Sequence, residues 1–190
     1  PVLELLGECK GAAAGNRLYS AEQLADKTVG QVAGCSGVLR RLTSAHCPVQ
    51  QAQNQLAVLR QKSCGKCTFC REGLYQLNCL LEEVSTGRAK AADLELAKEI
   101  GSAMTLSCNC TLGQEAALPV LTALDAFEGE VQAHVRRREC PAGACLALTQ
   151  FYVDPKLCQG SGACVEACPA GCIEGGKGLV AVIDGFDCTR

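Results

Sequence analysis

Residues 63–73 read SCGKCTFCREG, with Cys64, Cys67 and Cys70 placed every third residue. This C-x-x-C-x-x-C spacing does not suit disulfides: neighbouring cysteines would close strained small rings and one would be left over. It suits one compact electrophile gripped from three sides, with a fourth partner supplied from elsewhere in the chain. A 4Fe–4S cube takes four cysteines, and three close together plus one remote is a common arrangement. Gly65 lets the backbone come close to such a group, while Lys66 and Arg71 favour thiolates and offset negative charge. The best remote partner is Cys110 in SCNCTLGQ (residues 107–114), at the start of a helix, and Cys108 two residues away is its rival. A zinc knot at the triplet is the competing reading, but zinc sites usually use pairs of C-x-x-C rather than a triplet.

The chain has 190 residues, sixteen of them cysteine, and a net charge of −2. It opens PVLELLGECK, without a basic segment and a long apolar one behind it, so no secretory signal is expected. No apolar run reaches the roughly eighteen residues needed to span a bilayer. Clustered C-x-x-C spacing without a signal points to metal binding in a reducing, cytoplasmic compartment rather than to a secreted disulfide framework. The charge predicts no nucleic-acid partner, and the run Arg136–Arg138 reads as a solvated helix face. No G-x-G-x-x-G or G-x-x-x-x-G-K-[ST] stretch occurs, so no nucleotide cradle is expected. His46 beside Cys47 is too short-range a pair for a catalytic dyad, and no catalytic residue is assigned. With no Trp and few aromatics, the core is expected to be Leu, Val and Ala, and to lean on metals for stability.

The fold class expected is α+β: a short N-terminal segment, a small helical bundle and a cysteine-rich tail. In residues 1–48, VLELL and VGQVAG read as short strands and KGAAAG as a turn or loop. From Gln50 the pattern turns helical. Leu74, Leu77, Leu80, Leu81 and Val84 mark one helix, stopped near Gly87; Leu96, Ile100 and Met104 mark another, with Asp93 near its start. Ala117, Val120, Leu121, Leu124 and Phe127 mark a further one, with Pro119 in its first turn or at a kink. Short loops imply antiparallel neighbours. The boundary to the tail falls near residue 148, giving segments 1–48, 49–148 and 149–190.

Two further constellations follow. His134, Cys140 and Cys145 are spaced H-x5-C-x4-C and are candidates for a structural zinc site. A fourth ligand is not evident; Cys79 and Cys108 are spare, and Cys9, Cys35 and Cys47 stay unassigned. In the tail, CQGSGACVEACPAG (residues 158–171) resembles the C-x-x-C-x-x-C-x-x-x-C-P run of bacterial ferredoxins, with Cys158, Cys164 and Cys168 in register and Ser161 where the second cysteine belongs. FYVD at Phe151 reads as a strand and LVAVID as its returning partner. The tail is a candidate for a second iron–sulfur cluster, 3Fe–4S or 4Fe–4S with Ser161 or Cys172 as substitute ligand, or for none. A partner cluster would begin at Cys188, two residues before the final Arg190, so the tail reads as an incomplete ferredoxin.

SCGKCTFCREG followed by CTLGQEAALPV resembles the iron–sulfur helical domain of the NADH-binding flavoprotein subunit of respiratory complex I. It resembles still more the related subunits of electron-bifurcating hydrogenases and NAD-linked formate dehydrogenases. The resemblance covers about residues 50 to 130 and implies that Cys64, Cys67, Cys70 and Cys110 hold a 4Fe–4S cluster. CSGVLRRLTSAHCPVQQA faintly resembles the end of the family's ubiquitin-like domain, which would make residues 1–48 a shortened form of it. AHVRRRECPAGACLAL is similar to a segment of the bifurcating hydrogenase subunit that lies at a hinge before a ferredoxin-like tail. The family's large flavin and NADH domain is not in this sequence, so its hydride chemistry is not carried over. The resemblance implies an electron-transfer subunit working with a flavin- and NAD(P)H-binding partner and other iron–sulfur subunits. The rival reading is a structural or assembly module in which iron and zinc only stabilise the fold.

Overall fold

The N-terminal 48 residues depart most from expectation. In the computed structural model, which describes residues 2–33 and 37–189, α1 (Val2–Leu6) is a helix where VLELL predicted a strand. β1 (Gly11–Ala14) is a strand where KGAAAG predicted a turn. β2 (Arg17–Ser20) returns antiparallel to it, followed by α2 (Ala21–Leu24). α3 (Val29–Ala33) is again a helix in place of the strand read from VGQVAG, and β3 (Leu39–Leu42) completes a sheet of order β2-β1-β3. Cys35 lies outside the described residues.

Packing explains these reversals. β1 is the central strand and is buried on both faces. Ala12 and Ala14 join Val2, Leu24 and Val32 in a small core, while Ala13 joins Leu18 and Leu42 in the main one. A strand buried on both faces shows no polar–apolar alternation, and Gly and Ala carry little β propensity, so the local pattern is silent. On α1, Val2, Leu3 and Leu6 pack on the small core while Leu5 points outward, which is helical spacing. α2 starts with a capping box, in which the Gln23 amide donates to Ser20 Oγ and the Ser20 amide to Gln23 Oε1.

The first three bundle helices follow the expected order, α4 (Pro48–Lys62), α5 (Thr68–Ser85) and α6 (Ala91–Ser107), whereas the single last helix expected after Cys110 is broken into α7 (Thr111–Glu115), α8 (Leu118–Ala126) and α9 (Glu128–Arg136). Leu74, Leu77, Leu81 and Val84 form the buried stripe of α5. On α6 the buried stripe is Leu94, Ala97, Gly101 and Met104, so the helix is as predicted but Leu96 faces outward. Pro119 sits in the first turn of α8, where its missing N–H costs nothing. Residues 1–148 make one compact unit, ending in a 3-10 turn at Leu146–Leu148, and residues 149–190 make a second.

In the second unit α10 (Ala163–Ala167) is followed by β4 (Ile173–Glu174) and β5 (Val182–Ile183), paired antiparallel with Ile173 opposite Ile183. FYVD is not a strand: Phe151 and Tyr152 are exposed and the segment has no ladder partner among the described residues. Among those residues no helix is long and apolar enough to cross a membrane.

Candidate metal and cluster sites

No disulfide links the described cysteines. α4 ends at Ser63, whose extended backbone starts the triplet loop. Gly65 takes a left-handed φ of 70° that an L side chain would adopt only under strain. Arg71 donates from Nη1 to the Gly65 carbonyl at 2.8 Å, clamping the loop and holding a cation beside it. Cys67 is the extended N-cap of α5. Backbone amides of Cys70 and then Asn109 point at its sulfur and hold its thiol below the usual range. The Asn109 amide is informative, because it brings the 108–110 segment against the triplet.

Cys110 caps α7, and its Sγ accepts from the Gly113 amide at 3.5 Å. Cys64 and Cys110 are exposed, Cys67 is half-buried and Cys70 is buried, with Ser63 Oγ 3.4 Å from its sulfur. Cys108 is also buried. Burial first, then the neighbouring Cys67, Cys70 and Cys110, push its thiol up to about 12. Backbone N–H donors at Cys67 and Cys110, a guanidinium beside Gly65 and exposed thiols at Cys64 and Cys110 are features that an iron–sulfur cube uses.

The second set is different in kind. Among the described residues, the ligand atoms of Cys47, His134, Cys140 and Cys145 all lie within 4.8 Å of one another, and all four side chains are buried. Sequence spacing found three of these; the fourth is Cys47, rather than the spare Cys79 or Cys108. Cys47 is the N-cap of α4. His134 lies in the last turn of α9, and its Nδ1 donates to the Glu130 carbonyl at 2.7 Å, which leaves Nε2 to face the sulfurs. That Nε2 is 3.3 Å from Cys47 Sγ and 3.5 Å from Cys145 Sγ, and the two sulfurs are 3.6 Å apart. Arg138 then takes a left-handed φ of 52°, rare for an L residue, and turns the chain so that Cys140 comes back to His134.

The four groups lie close enough to shift one another's protonation. The Cys145 contact, outweighing burial and joined by His134, lowers Cys47 to about 4. Burial presses His134 toward its neutral form, but Cys47 and the Glu130 carbonyl prevail and raise it to about 9. Cys145 is driven up by its contact with Cys47 and by burial. Three thiols and one imidazole nitrogen at single-ion distance, closed on every side, fit a structural zinc site.

In the tail, Cys158 is half-buried, Cys164 exposed and Cys168 half-buried. Backbone amides lower Cys158, chiefly from Ala181 and Gly160, and lower Cys168, chiefly from Cys172. Cys168 Sγ lies 3.5 Å from Cys172 Sγ. Cys172 is buried and raised to about 11 by that burial and by its contacts with Cys168 and Cys188. Ser161 Oγ accepts from the Ala163 amide at 3.5 Å.

Fold and sites together define a helical iron–sulfur domain followed by a ferredoxin-type segment. Residues 50–134 match the NADH-ubiquinone oxidoreductase-F iron-sulfur binding region, and residues 151–174 match a 4Fe-4S binding domain. The chain therefore carries the C-terminal iron–sulfur region of the NADH-binding flavoprotein subunit family. It is 36% identical over 142 residues to the NADP-reducing hydrogenase subunit HndC of Solidesulfovibrio fructosivorans, covering 75% of this chain and 29% of that protein. It is 28% identical over 145 residues to the NADPH-Fe(3+) oxidoreductase subunit beta of Geobacter sulfurreducens, covering 76% of this chain and 20% of that one. An NAD+-reducing [NiFe]-hydrogenase in the H2-reduced state superposes with a TM-score of 0.62 at 28% identity, over 69% of this chain and 23% of that one. The chain spans less than a third of each.

Proposed function

We propose that this chain is an electron-transfer iron–sulfur part of a multi-subunit NAD(P)H-linked oxidoreductase of the hydrogenase, formate dehydrogenase or ferredoxin oxidoreductase type, working in the cytoplasm. It passes single electrons between a flavin-bearing, NAD(P)H-binding partner and other clusters. The observation that carries this reading is the approach of the 108–110 segment to the triplet, made by the Asn109 amide on the Cys67 sulfur. Cys64, Cys67, Cys70 and Cys110 are the ligands of one 4Fe–4S cluster, which when bound supplies a one-electron change. Arg71 holds the loop, and Lys66 and Arg71 offset the negative charge. The exposed edges at Cys64 and Cys110 leave a face open to an electron partner. Cys158, Cys164 and Cys168 are proposed ligands of a second cluster in the tail, and residues 1–48 are read as a shortened ubiquitin-like segment. Cys47, His134, Cys140 and Cys145 are proposed to hold one zinc ion just before residue 148, where the first unit ends.

The experiment is anaerobic purification with iron, sulfide and zinc analysis, optical spectra and EPR. A brown protein whose absorption bleaches with dithionite, with at least four irons and one zinc per chain, is expected. The closed, buried zinc set favours a second reading, a structural or assembly module. A colourless protein that holds zinc and no iron would establish that reading instead.

A further inference from the structure

In the tail, the sulfurs of Cys168 and Cys172 are in van der Waals contact at 3.5 Å, and the backbone builds this approach. Cys168 is the C-cap of α10, with φ −76° and ψ 113°, and Pro169 cannot continue the helix. The Gly171 amide donates to the Cys168 carbonyl at 3.2 Å, closing a turn in which Gly171 takes a left-handed φ of 63°. The Asp184 amide, next to β5, donates to the Cys172 carbonyl at 2.8 Å and anchors the second cysteine. Cys172 is 5% exposed, whereas Cys168 is only half-buried. One thiol is open to a reagent and the other stands directly behind it, the arrangement of an attacking and a resolving cysteine. The pair is not part of a single-ion set. Among the described residues, the group whose ligand atoms all lie within 4.8 Å of one another is Cys47, His134, Cys140 and Cys145.

Sulfurs already in contact across a short turn need little movement to reach the disulfide bond length of about 2.05 Å. We propose that Cys168 and Cys172 form a thiol–disulfide pair, oxidised by small disulfides and reduced again by small thiols. In the first step the Cys168 thiolate attacks a small disulfide RSSR. A Cys168–S–S–R bond forms, the RS–SR bond breaks, and the leaving thiolate takes up the proton that Cys168 gave up. In the second step Cys172 loses its proton and attacks the Cys168 sulfur. The Cys168–Cys172 bond forms, and the second RS− leaves and takes that proton. The protein thiols lose two electrons and two protons, and the small disulfide gains them as two thiols. The consequence for iron rests on the tail reading, in which Cys168 is a cluster ligand. A sulfur held in this disulfide has no thiolate to give to iron, so oxidation of the pair and iron loading of the tail exclude each other.

The test uses the full chain, prepared anaerobically, stripped of iron with bathophenanthroline disulfonate and then exposed to 2-hydroxyethyl disulfide. Free thiols are alkylated in denaturant. The tryptic peptide Leu157–Lys177, which holds Cys158, Cys164, Cys168 and Cys172, is then read by mass spectrometry without reduction. The expected peptide has a bridge from Cys168 to Cys172, with the loss of two hydrogens, and leaves Cys158 and Cys164 outside it. In Cys172→Ala the expected product is Cys168 trapped as the hydroxyethyl mixed disulfide. Absence of the Cys168–Cys172 bridge would overturn the proposal. So would a bridge from Cys168 to Cys158 or Cys164 in its place, or an unmodified Cys168 in Cys172→Ala. A second portion, reloaded with iron and sulfide before the exposure, should keep Cys168 and Cys172 unbridged. A bridge formed there to the same extent would support the pair and remove Cys168 from the proposed iron ligands of the tail.

Discussion

The first unit holds two sulfur sites built on opposite plans. At the triplet, three of the proposed ligands are three residues apart in sequence, two of the four proposed sulfurs are exposed, and backbone amides point at Cys67 and Cys110. At the second set, Cys47 and His134 lie 87 residues apart, every ligand is buried, and all four atoms fall within single-ion distance. The difference teaches what each can do. An open site with fixed donors suits a group that exchanges electrons with a partner, whereas a closed Cys3His site suits an ion that holds chain segments together. The second site ties the start of α4, the end of α9 and the 140–145 loop to one point, and α4 leads directly into the triplet.

This contrast predicts its largest effect at the closed site. Structural zinc contributes about 10–16 kcal/mol to the folding of isolated finger peptides; a bundle with its own core depends on it less. Cys47→Ala is expected to lose zinc and to lower stability by about 4 kcal/mol or more, as losses of structural metals do. Metal analysis and thermal unfolding check this; full zinc content in the variant would remove Cys47 from the set. Next in size is the cluster. Cys110→Ala should lose the 4Fe–4S signal or convert it to a three-iron one, with zinc retained, while Cys108→Ala keeps its iron. If iron and zinc vanish together in Cys110→Ala, the two sites are not independent and the contrast fails.

A smaller effect is expected in the tail. Ser161→Cys should raise iron per chain or convert a three-iron EPR signal to a four-iron one, because thiolate is the softer ligand. Iron that stays at the level of one cluster in both proteins would make the tail a docking surface only. The smallest effect concerns the support of His134. The Glu130 carboxylate pairs with Lys10 Nζ at 2.7 Å, whereas the carbonyl of the same residue holds the imidazole. Glu130→Gln should therefore cost about 0.5–1 kcal/mol in chemical denaturation and leave zinc binding intact. A loss of zinc would show that the carboxylate, and not the backbone, orients the ligand.

Much of the bundle was legible because its apolar residues recur at helical spacing and its breaks fall at Gly and Pro. The N-terminal segment was not legible. β1 is a Gly-Ala strand whose burial on both faces erases the pattern, and α1 is too short to show its period. Leu96 shows the same limit on a smaller scale: spacing reveals that a helix exists, but only its neighbours decide which side faces them.

For the sites, the sequence by itself determined that Cys64, Cys67 and Cys70 cluster, because three cysteines on one loop are necessarily close in space. It also determined most of the closed set, since His134, Cys140 and Cys145 follow one another across one turn. Cys47 carried no such signal. Its place beside His134 depends on α4 packing against α9, a contact between helices distant in sequence. Local spacing reports side chains that share a loop; which remote side chain, such as Cys47, is brought to them is decided by helix packing.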